Sequence, residues 1–256
     1  PWMLGKLQVG HLGEISGGLQ SMLSSADIDH DDYEIAAYVA MTYLTLEMPE
    51  AAAPWLQRAM TDGPGTVTTR VVEAVDLVLR DEDEGAALLA IEALRNRPSR
   101  FGAHGMLADS LIIIAVNQLI VTGRAEEAVA LLETEESNYS DFPSLPPGPQ
   151  VQDTMLAVRD IPRRWSVALA SAYRAAGRPQ KATEIVENPT FTRLGSINEY
   201  RENALNIDYL IEAEARVIEG DTSGALDMLE AAVDANLYFN WQIRVERNNA
   251  FSGIQS

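Results

Sequence analysis

From Tyr33 onward, apolar and small residues recur at helical spacing in paired runs, and each pair is closed by glycine, proline or acidic residues. The clearest pair is YEIAAYVAMTYLTLEMPEAAAPWLQRAMTDGP, Tyr33 to Pro64, in which Ala40, Tyr43, Ala52, Leu56, Ala59 and Pro64 alternate small, large, small, large, small and proline. Such a pair predicts two helices, the first from Tyr33, a turn holding Pro49, and a second from Glu50 to Thr61 that stops at Gly63-Pro64-Gly65. Small residues let the two helices of a pair approach, and large ones fill the hole between neighbouring pairs.

The pattern repeats. A second copy carries Ala74, Leu77, Ala86, Ala90, Ala93 and Pro98, with Asp81 to Glu84 as its turn, at a period of about 34 residues. In a third, Gly123 closes the first helix, Ala128 begins the helix contact and Leu132 is the large residue. Glu135 then stands where a small residue is expected, so the second helix should end early. The fourth copy has Ala170, Tyr173, Gly177, Ala182 and Val186; the fifth has Ala213, Gly220, Ala225, Leu229 and Ala232. Between them Ser137 to Pro149 holds prolines 143, 146, 147 and 149 and reads as a loop. Leu12, Ile15, Leu19 and Leu23 suggest an earlier hairpin. The expected organisation is therefore an N-terminal hairpin over 1–32, repeats one to three over 33–136, a proline-rich loop over 137–150, repeats four and five over 151–236, and a C-terminal cap over 237–256.

On these residues the chain resembles the tetratricopeptide repeat (TPR) family from about Tyr33 to Asn236. The resemblance implies an all-α fold, a right-handed α-α superhelix of about five to six helical hairpins, with a concave groove lined by the first helix of each. It implies a protein or peptide partner. Mapped onto the first helices, the groove-facing positions include Met41, Val75, Ile113, Asn117, Arg164, Ser171, Arg174 and Glu214. The first of these are apolar, and the later ones bring two arginines. In family members that clamp a C-terminal carboxylate, Asn117 would hold one clamp position, but Ile113 stands where the lysine belongs, so that specificity is not carried over. Arg164 and Arg174 can instead meet an acidic group on a partner or the chain's own surplus of acids. The C-terminal stretch LYFNWQIRVERNNAFSGIQS resembles the ending of TPR regions in bacterial multidomain signalling proteins; Trp241 and Phe251 match, while Asn249 replaces a usual proline. That likeness implies a regulatory or sensor module whose effector domain lies upstream.

Composition narrows the choices. With 46% hydrophobic and 22% charged residues the chain is expected to fold. A net charge of −19 disfavours direct nucleic-acid binding by this segment, because phosphates must be met by lysine and arginine. Leu107 to Val121 is too short and too polar for a membrane span and reads as a buried helix. No cysteine is present, so thiolate chemistry is excluded and the redox compartment stays open. The first residues do not look like a signal peptide, and the missing initiator methionine suggests a piece of something longer. Cytoplasmic and periplasmic settings both fit.

Candidate chemistry is sparse. The run DIDHDD, Asp27 to Asp32, lacks the glycine and glutamate of a calcium loop and reads as helix capping; DEDE, 81 to 84, reads as a solvated turn. His11, His30 and His104 are isolated, no phosphate-binding or nucleophile-elbow motif occurs, and the Glu212/Glu214 pair is what an acidic chain supplies by chance. No cofactor, metal or catalytic residue is expected. Binding in the groove is the leading expectation, packing of a second copy there to give a homodimer is the competing one, and a helical enzyme with a carboxylate site is the least favoured.

Overall fold

The computed structural model describes residues 5, 14–95, 105–139, 165–187, 207–234, 245–252 and 254. Among the described residues every regular element is helical, in a succession of hairpins. The chain forms two compact units, one of Pro1–Ala115 with Ala231–Asn248, the other of Val116–Glu230 with Asn249–Ser256.

In the first unit α1 (Ile15–Ala26) precedes the hairpin of α2 (Tyr33–Thr45) and α3 (Pro49–Asp62), then that of α4 (Val67–Leu79) and α5 (Asp83–Arg95). Asp32 opens α2 by accepting hydrogen bonds from the backbone N–H of Glu34 and Ile35 at 2.8 and 3.3 Å, the capping role expected of the acidic run. Pro49 is not in the turn but at the first turn of α3, where its missing N–H costs nothing. Helices α2 and α3 pack along each other, α4 packs on α5, and α2 lies beside α4, so first helix neighbours first helix. The small positions make this possible: Ala40, Ala52, Ala59, Ala74, Ala86 and Ala90 are all buried. Met22, Ala26, Ile35 and Val39 join α1 to α2, covered by Leu19, Tyr38, Tyr43 and Trp55. Arg58 lies over the Trp55 ring, 5.4 Å from its centre, and donates to the carbonyls of Asp29 and His30, fastening the acidic loop to α3.

The second unit contains the end of α6 (Gly105–Val121), then α7 (Ala125–Tyr139), α8 (165–175) with α9 (Pro179–Val186), and α10 (Ile207–Glu219) with most of α11 (Thr222–Asp234). From Leu111 to Ile120, α6 is buried at every position but the half-buried Ile113, as its apolar run predicts. Among the described residues no helix is long and apolar enough to cross a membrane. The early stop expected at Glu135 does not occur: α7 runs to Tyr139, taking in Ser137, because neither glycine nor proline interrupts it. The remainder of the proline-rich stretch lies outside the described residues, as do His11, His104, Trp241 and Arg164. Arg178 pairs with Glu126 and the Tyr173 hydroxyl donates to Glu133, tying the fourth hairpin to α7. Past α11, a short 3-10 turn, Asn249–Phe251, packs on α10 with Phe251 buried.

The first helix of every hairpin from α2 to α10 ends in the same way. Glu47, Asp81, Gly123, Gly177 and Gly220 have φ of 56, 62, 77, 75 and 83°, in the left-handed region. The next residue donates its N–H back five positions, Met48 to Tyr43, Glu82 to Leu77, Arg124 to Leu119, Arg178 to Tyr173 and Asp221 to Arg216, at 2.7 to 2.9 Å. This is the Schellman closure, which satisfies carbonyls that the helix leaves open. Three of the left-handed positions are glycine, where a positive φ meets no Cβ penalty.

Candidate functional site

Counting back six residues from each left-handed closure selects Met41, Val75, Asn117, Ser171 and Glu214. These are five of the groove positions expected from the repeat register, and each stands six residues before the closure of its own first helix.

In the first unit this row is covered. Met41 is 5% exposed and Val75 3%, and their helix neighbours Leu44 and Val78 are fully buried. The apolar part of the expected groove is therefore interior in this conformation rather than open surface. Ile113, on the part of α6 that belongs to this unit, is half-buried.

In the second unit the row turns polar. Asn117 is buried on α6, whereas Ser171 on α8 and Glu214 on α10 are half-buried. Arg174, one turn beyond Ser171, is exposed and donates from Nη1 to the Val217 carbonyl at 2.7 Å. Arg174 and Val217 each stand three residues before their helix's glycine, so this bond ties α8 to α10 at matching positions of the two closures. Of the two fates expected for Arg174, a partner's acid or the chain's own, the bond to a backbone carbonyl is neither.

Two atoms of this row are out of balance. The Asn117 Nδ2 and the Ser171 Oγ are buried with no hydrogen-bond partner, and the neighbouring Gln118 Oε1 is in the same state. A buried polar atom left unpaired costs about 1–3 kcal/mol; Thr68 Oγ1, outside the row, is in the same state. An amide N–H in need of an acceptor and a hydroxyl able to donate or accept suit a ligand with both functions, as a peptide backbone has.

The structure also shows a feature that sequence reading passed over. Glu212, buried on α10, accepts from Arg216 Nε at 3.1 Å; Arg216 Nη1 reaches Asp221 at 3.1 Å; Asp221 in turn accepts from the Gly224 N–H at 2.9 Å. This clasp fastens the end of α10 to the start of α11, and a Cβ on Gly224 would collide with both Asp221 and Arg216. The Glu212/Glu214 spacing had pointed only to chance. Helix geometry sends residues two apart to different faces, Glu212 into the clasp and Glu214 to the row. Among the described residues no group of three or more histidine, aspartate or glutamate side chains could hold a metal ion.

No protein-family model matches the chain, and no curated protein matches it in sequence. Among solved structures, the chain is similar to the crystal structure of PilW, a widely conserved type IV pilus biogenesis factor, at 14% identity and a TM-score of 0.53, over 100% of this chain and 96% of that one. At that identity the likeness is one of fold. Together with the hairpin succession it establishes a TPR-like helical repeat fold.

Proposed function

We propose that this TPR-like repeat chain is a non-catalytic module that binds a protein or peptide along the row Asn117, Ser171, Glu214, with Arg174 beside it. The supporting observation is the pair of unpaired buried atoms, Asn117 Nδ2 and Ser171 Oγ, at one register level on first helices of the same unit. An extended peptide supplies alternating acceptors and donors, and meets both atoms once the side chains over them move aside. Arg174 adds a cation that favours an acidic side chain or a chain terminus on the ligand. The C-terminal likeness at Phe251 supports a regulatory place within a larger signalling protein.

The test is selection from a displayed random-peptide library, followed by fluorescence anisotropy on selected peptides. Asn117→Ala and Ser171→Ala are expected to weaken binding about threefold to tenfold each, the worth of one hydrogen bond. Arg174→Ala should weaken acidic peptides in preference to neutral ones. Selected peptides whose affinity survives all three changes, or a homodimer that forms in place of any peptide complex, would overturn the reading.

A further inference from the structure

We draw no further inference here: the strongest candidate, the cation cluster at the turn of the α8–α9 hairpin where Arg178 and Lys181 lie 5.7 and 5.0 Å from the centre of the Tyr173 ring, carries nothing, because the α7 carboxylates Glu126 and Glu133, the first paired with Arg178 and the second accepting from the Tyr173 hydroxyl, already balance its charge and leave no surplus to select an anionic partner.

Discussion

A left-handed residue without a side chain to hold it there is the smallest unit from which this fold is built. Gly177 shows the effect by itself, since at φ of 75° a Cβ placed on it would meet nothing within 4 Å. Any loss on substitution is then purely conformational. Gly177→Ala is expected to lower unfolding stability by about 1–2 kcal/mol, read from a urea midpoint at constant slope. A loss under a few tenths would mean that the closure relaxes freely and does not set the helix end. Gly63 makes the contrasting case. Its φ of −131° is open to any residue, yet a Cβ there would strike the Tyr33 ring. The first glycine serves the backbone, and the second serves packing.

At the scale of the element, α2 shows how a helix start couples charge to burial. Asp32 caps it, Glu34 lies in its first turn, and Tyr33 turns inward over Gly63. Burial, then the charges of Glu34 and Asp32, raise the Tyr33 phenol above its usual range. A raised acid is held neutral by the folded state, so its contribution to stability is complete below the unfolded value near pH 10 and is lost as pH climbs through the folded one. Tyr33→Phe has no proton to lose. Between about pH 9 and 11 the natural chain should therefore lose more stability than Tyr33→Phe, measured as the shift of urea midpoint with pH. Parallel curves would show that the ring's surroundings do not distinguish phenol from phenolate. The existence, type and most boundaries of α2 and α3 were readable beforehand, because period, cap and breaker all agree at Tyr33, Asp32 and Gly63-Pro64-Gly65. Where a single signal spoke alone, as at Glu135, it failed: one missing small residue does not end a helix that has no glycine or proline to break it.

For the molecule as a whole, charge is the dominant long-range quantity. Thirty-eight acids against nineteen bases leave −19, a net self-repulsion. Partly exposed ion pairs such as Arg70–Glu73 and Arg124–Glu127 oppose it locally but are worth little each. Repulsion among unpaired acids should therefore outweigh them. Raising sodium chloride from about 20 to 500 mM, which shortens the screening length well below the Debye value of physiological salt, is expected to raise Tm. The same salt should weaken the Arg247–Asp81 pair. A falling Tm would mean that the local pairs carry more of the stability than their exposure allows.

The repeat register was legible in the sequence, and with it the helical class, the hairpin order, the glycine closures and the level at which Asn117, Ser171 and Glu214 stand, because all of these follow from short-range geometry that recurs along one chain. Which of those positions meet solvent was decided only by the folding of distant segments onto one another. Met41 and Val75 look like groove residues by periodicity and are interior by contact, and Arg247 finds Asp81 across most of the chain. Local periodicity specifies a face of a helix; what covers that face depends on tertiary neighbours that no spacing along the chain records.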